Sequence, residues 1–153
     1  MRHPLLALAL MLAACAPAAP PAAQAQVANG IEVRDAWAAP TPGGVDVAAG
    51  YLTIVNRGRE ADRLVAIESA RAARVEVHEM SMDGAVMRMR PLAGLDIPAG
   101  GQAMLRPSGN HLMFIDITQP FVAGETIPVR LQFERAGAVE VQLPVRRGAS
   151  HGH

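Results

Sequence analysis

From Ile31 onward apolar residues recur at every second position in short runs, and Gly, Pro, Asp and Asn separate the runs at spacings of roughly 8 to 14 residues. The plainest runs are Ile127-Val129-Leu131-Phe133 and Val139-Val141-Leu143-Val145, joined as a hairpin through Arg135-Ala136-Gly137. Further strands are predicted over 31–37, 48–55, 63–68, 74–80, 86–90, 102–106 and 111–117. Pro98-Ala99-Gly100-Gly101, Pro107-Ser108-Gly109 and Ala123-Gly124 supply the breaks. Helical periodicity is nowhere convincing, so about nine strands point to an all-β, two-sheet Greek-key sandwich.

The chain has 153 residues, and after a removable leader about 130 remain, which suits one domain and is short for two. Its 14 basic residues, all Arg, balance 14 acidic ones, which argues against nucleic acid as a partner bound through phosphate neutralisation. Val, Leu and Ile after residue 31 suffice for a core and argue against disorder. The one Cys, Cys15, lies in the leader region, so the folded part offers no internal disulfide, thiolate ligand or cysteine nucleophile. Met is the unusual residue, eight in all, most of them between Met80 and Met113.

Met1-Arg2-His3-Pro4 and the apolar run from Leu5 to Ala14 have the form of a secretion signal and are too short to span a bilayer. The run ends in Leu12-Ala13-Ala14-Cys15, which resembles the bacterial lipobox. Cutting before Cys15 would remove residues 1–14 and leave a lipid anchor on that Cys. Ala23-Gln24-Ala25 offers ordinary cleavage instead, with residues 1–25 lost. Both routes export the protein. Residues 15–30, rich in Ala and Pro, read as a tether, 31–147 as the folded β-sandwich domain, and 148–153 as a flexible His-containing tail.

The run from Arg74 to Met82 alternates so that Val75 and Val77 face one side while His78, Met80 and Met82 share the other. Asp83-Gly84 is a preferred two-residue turn, and the chain returns through Val86-Met87-Arg88-Met89-Arg90. In such a hairpin facing residues have numbers adding to a constant, here 167, the total for Asp83 and Gly84. That arithmetic sets His78 opposite Met89 and Met80 opposite Met87, with β-carbons about 4.5–5.5 Å apart. His111 and Met113, two residues apart on another strand, again point to one face.

Two His and two Met can therefore converge. A thioether is soft and uncharged, a poor match for Ca²⁺ or Mg²⁺ and a ready ligand for Cu(I). On the oxidising side of a membrane, Met can take the place of Cys as the soft donor. Without a thiolate, blue-copper and structural-zinc sites are disfavoured. Met80, Met82 and Met87 read as auxiliary ligands or as an apolar rim, Met104 as core, and Trp37 as a packing residue or a cover for the metal. Glu79 alternates away from His78 and is a poor partner for it.

His78, ten residues, Met89, twenty-one residues, then His111-Leu112-Met113 resembles the H-x10-M-x21-H-x-M motif of the periplasmic copper chaperones called PCu(A)C. His78-Glu79-Met80 and Met87-Arg88-Met89-Arg90-Pro91 are also similar to that family, over residues 31–145. The resemblance implies a cupredoxin-like β-sandwich in the periplasm that binds one Cu(I) through His78, Met89, His111 and Met113. It implies delivery toward the copper A centre of cytochrome c oxidase subunit II, together with a Sco-type chaperone. Longer tails in the family suggest a weak Cu(II) site at His151 and His153, against a plain solvated terminus. The site is that of a carrier and not an enzyme, since nucleophile, base and orienting group are missing. Copper scavenging or tolerance, a copper redox enzyme and a purely structural role for the Met and His are the alternatives.

Overall fold

The computed structural model describes residues 26–148. These form β1 (Gln26–Ala28), β2 (Ile31–Ala38), β3 (Val47–Asn56), β4 (Asp62–Glu68), β5 (Ala72–Asp83), β6 (Val86–Leu92), β7 (Leu95–Ile97), β8 (Gln102–Leu105), β9 (His111–Ile117), β10 (Thr126–Phe133) and β11 (Gly137–Pro144), with no helix among the described residues. Each of the nine predicted strands is present. The two not foreseen, β1 and β7, have three residues each, too few to show a period. β1 occupies the last part of the stretch expected as tether and pairs with β2.

The all-β sandwich is as expected, and its pairings are antiparallel between all named strands. One sheet runs β1-β2-β3-β9-β5-β6, with β8 also on β3; the other runs β11-β10-β4-β7. β10 and β11 carry the clearest alternation: Ile127, Val129, Leu131 and Phe133 are buried, as are Val139, Val141 and Leu143. They meet Ile54, Leu52, Val75, Val77, Leu112 and Phe114 of the larger sheet in a single core. Each large side chain buried there contributes roughly 1.5–3 kcal/mol. The inter-sheet gap is tight at Gly50, where a β-carbon would lie 2.9 Å from the Phe114 ring and 3.0 Å from Leu143.

Met104 corrects an expectation. β8 turns Leu105 inward and Met104 outward, so Met104 is 48% exposed and not core. Trp37 does pack, stacking on Tyr51 with ring centroids 4.5 Å apart and carrying the Arg146 guanidinium on its ring at 5.0 Å.

Two features of the larger sheet place the site. β3 pairs first with β9, through Gly50, and then with β8, from Leu52 onward, so β9 begins where β3 changes partner. On its other side β9 pairs with β5, and His78↔His111 is the last rung. Past that rung β5 continues with β6 alone, as a two-stranded ribbon.

Candidate metal centre

β9 presents its site residues because its other residues are anchored. Leu112 and Phe114 are fully buried in the core, so the pleat turns His111 and Met113 to the opposite, outer face of the sheet. β5 is held in the same way by Val75 and Val77, which puts Glu76, His78, Met80 and Met82 on that outer face. Register then makes the rows: His78 lies directly opposite His111, and Glu76 opposite Met113. The two imidazole centroids are 5.9 Å apart with a 52° tilt. His111 is buried at 5% exposure despite its place on the outer face.

Hydrogen bonds fix what each ring can offer. His111 Nδ1 lies 3.0 Å from the Gly109 carbonyl. A carbonyl only accepts, so Nδ1 carries the proton and Nε2 keeps its lone pair. His78 Nε2 lies 2.8 Å from Glu76 Oε2. The carboxylate accepts in the same way, so in the neutral ring the lone pair sits on Nδ1, a buried atom without a protein partner. The hydrogen bond from His78 holds the Glu76 carboxyl below its ordinary range; partial burial opposes the shift and Arg74, at 3.3 Å, adds to it. A carboxylate or carbonyl behind each ring is the usual arrangement for metal-binding His, because it orients the ring and raises its basicity.

Glu76 escaped the sequence reading, which weighed Glu79 instead. Glu79 indeed points to the other face, where Arg90 Nε donates to it at 2.7 Å. The period-two rule that discards Glu79 selects Glu76, two residues before His78 on the same face.

The hairpin register differs from the predicted one. Facing residues add to 169, not 167: His78 pairs with Pro91, Met80 with Met89, Met82 with Met87 and Asp83 with Val86. The turn residues are therefore Gly84 and Ala85. Gly84 has φ +63°, and Ala85 stays out of the positive region, as in a turn that asks for Gly only at its first central position. An Asp83-Gly84 turn would need positive φ at Asp83; instead Asp83 stays in the strand and accepts from Arg88 at 3.2 Å. A shift of two preserves faces. Met89 thus remains on the face of His78 but diagonally, at a typical separation of about 7–8 Å, still within reach of a long side chain.

The structure thus brings His78 and His111 into one rung, with Met113 one rung to one side and the Met80–Met89 pair one rung to the other. The Met82–Met87 pair is a rung further out. Cys15, His151 and His153 lie outside the described residues. Among the described residues no group of three or more His, Cys, Asp and Glu is disposed to hold a metal, so an ion bound here would draw on thioethers. Two neutral imidazole nitrogens with flanking thioethers make a donor set suited to a soft monovalent cation.

Comparison with known proteins agrees with this picture. The family model described as "Putative lipoprotein LpqE-like" matches residues 31–145. A relative from Leifsonia xyli subsp. xyli (strain CTCB07), "Putative lipoprotein Lxx21020", is 32% identical over 143 residues, 92% of this chain and 85% of that protein. Among solved structures, the copper-bound PCuAC domain from PmoF2 superposes with a TM-score of 0.71 at 23% identity, covering 82% of this chain and 99% of that one. The solution structure of CuI-DR1885 from Deinococcus radiodurans superposes with a TM-score of 0.61 at 25% identity, covering 82% and 83%. The likeness to PCuAC domains read from the motif is matched by the fold, and the chain belongs to the LpqE-like family.

Proposed function

We propose that this protein is an exported copper carrier that holds one Cu(I) between His78, Met89, His111 and Met113 and passes it to an acceptor. The observation that carries the reading is the facing imidazole pair, in which each ring has one nitrogen committed to an acceptor and the other free. Thioethers on both flanks complete a neutral donor set that suits Cu(I) better than Zn²⁺ or Cu(II). Support comes also from the solved neighbours, of which the PmoF2 domain is copper-bound and DR1885 holds CuI. Soft donors alone favour keeping copper as Cu(I) over cycling it, so the role is carriage and not catalysis. The resemblance to the PCu(A)C motif supports the copper A centre of cytochrome c oxidase as the acceptor, with a Sco-type partner. The lipoprotein names of the family and of the Leifsonia relative support lipidation at Cys15 and hence a membrane-anchored carrier.

An anaerobic Cu(I) titration against a competing chelator tests the site. One equivalent should bind, and Met113→Ala should weaken it by more than the roughly 10–100-fold lost with a mere supporting group. Unchanged affinity in a folded variant would remove Met113 from the site. For the anchor, Cys15→Ser should release the protein from membranes or stall its processing, and identical membrane association would refute lipidation.

A further inference from the structure

The β5–β6 ribbon beyond β9 has no core under either face: every residue from 81 to 91 is exposed. Its side chains are nonetheless sorted by face. One carries Glu79, Ser81, Asp83, Arg88 and Arg90, with ion pairs Arg90–Glu79 at 2.6 Å and Arg88–Asp83 at 3.1 Å, and a single apolar residue, Val86, beside the turn. The other carries Met80, Met82, Met87 and Met89 in two directly facing pairs. Core packing cannot account for this. Met82 and Met87 are 65% and 60% exposed and cover nothing buried, and a hairpin tip in water accepts polar residues at such positions without cost.

We propose that Met82 and Met87 form a second, exposed site for a soft monovalent metal ion, from which Cu(I) moves by ligand exchange through Met80 and Met89 to the His78–His111 pair. Facing residues hold their β-carbons about 4.5–5.5 Å apart, and the Met side chain is unbranched and flexible, so two sulfurs can close on one ion. Successive rungs are about 7 Å apart along the strand, a gap that swinging thioethers can bridge. Exposure falls along the route, from 65% and 60% at Met82 and Met87 to 46% at Met89 and 5% at His111. The first two rungs offer two sulfurs each and the inner site adds two imidazoles, so the ion runs toward tighter binding. No electron is transferred: each step forms one Cu–S or Cu–N bond as another breaks. The route rests on the His/Met reading given above; the metal site at the tip does not.

The test uses the full chain in a Cys15→Ser background, which removes the competing thiol, with ¹³C-methyl-labelled Met and Ag(I), a redox-inert soft cation, as the probe. The first equivalent should shift the methyl signals of Met89 and Met113, and further Ag(I) those of Met82 and Met87. In His78→Ala/His111→Ala both imidazole donors of the inner site are gone, yet the Met82 and Met87 signals should still respond; this separates failure of the inner site from failure of the tip. Unmoved Met82 and Met87 signals under excess Ag(I) in both proteins would overturn the tip site. Met87→Leu keeps the apolar surface but removes a sulfur, and should lower the tip's Ag(I) affinity at least about tenfold. Equal affinity would mean that the Met face serves apolar docking and not metal binding. For the route, Met82→Leu/Met87→Leu should slow loading from a Cu(I)–chelator complex far more than it lowers the final affinity, and an unchanged loading rate would overturn it.

Discussion

His78 and His111 face each other across β5 and β9, the last rung those two strands share, with ring centroids 5.9 Å apart. Backbone register brings them together, and the Gly109 carbonyl and the Glu76 carboxylate turn their free nitrogens into donors. A rung is a stiff device. Val75 and Val77 on one strand and Leu112 and Phe114 on the other lock its pleat into the core, so the donor pair is organised before any ion arrives.

Both imidazoles must be unprotonated to bind, whereas the thioethers do not titrate. Cu(I) affinity should therefore fall with acidification, with a limiting dependence approaching about two protons released per ion. His78→Met/His111→Met, if it still binds, should give a flat profile. Affinity measured against a chelator across pH decides this, and an equally steep profile in the double variant would place the titrating groups elsewhere.

Glu76 gives a second test, because it hydrogen-bonds His78 through the nitrogen the ion does not use; it also faces Met113, so the state of the His78 ring has to be read beside the affinity. Glu76→Ala removes the acceptor that fixes the His78 tautomer and should cost roughly 10–100-fold in Cu(I) affinity. Glu76→Gln keeps an amide oxygen facing Nε2 and should lose less. The ¹⁵N shifts of the His78 ring would report whether its proton leaves Nε2 in the Ala variant. Unaltered shifts and affinity in that variant would leave Glu76 without a role.

The register of the ribbon can be tested by crosslinking in a Cys15→Ser background. Met82 faces Met87, whereas an Asp83-Gly84 turn would put Met80 there. A disulfide needs β-carbons about 3.5–4.5 Å apart, and a diagonal pair sits at about 7–8 Å, so Met82→Cys/Met87→Cys should oxidise readily and Met80→Cys/Met87→Cys slowly. Mass spectrometry after mild oxidation reads the outcome, and preferential closure of the second pair would restore the rejected turn.

These residues show how far the sequence can be read. Period two is a local property, so the faces of His78, Met89, His111 and Met113 were legible, as was each strand long enough to alternate. Register is not local in that sense. Moving the turn by one residue changes every partner without changing any face, and Asp83-Gly84 and Gly84-Ala85 are both acceptable turns until the φ of Gly84 is known. The pairing of β5 with β9 was likewise out of reach, since strands distant in sequence can be ordered in many ways within a sheet. Glu76 was legible in principle, by the same alternation that placed His78, once a partner was sought before the His as well as after it.

Asp62 offers a last prediction, about the scaffold and away from the site. It is 8% exposed, and its Oδ1 accepts from the backbone N–H groups of Arg63 at 2.8 Å and Arg135 at 2.9 Å, while Oδ2 accepts from Ala136 at 2.9 Å. One carboxylate thereby ties the start of β4 to the β10–β11 loop. Burial alone would raise its pKa, but the three backbone donors together outweigh burial, Arg135 adds its charge, and the pKa lies below the ordinary value of 3.8. The unfolded chain then binds the proton more readily than the folded one, so this contribution to stability is complete above the unfolded value and is lost as pH falls through the folded one. Asp62→Asn would turn an amide N–H₂ toward the Ala136 or Arg135 N–H and should cost about 1–3 kcal/mol near neutrality. The gap from the parent should narrow in acid, where the parent's carboxyl is itself protonated. Urea unfolding of both apo-proteins at pH 7 and in a series of buffers well below the ordinary value of 3.8 measures this; equal stabilities at pH 7 would show that the carboxylate does not hold the loop, and a gap that never narrows down that series would show that its charge is not the cause.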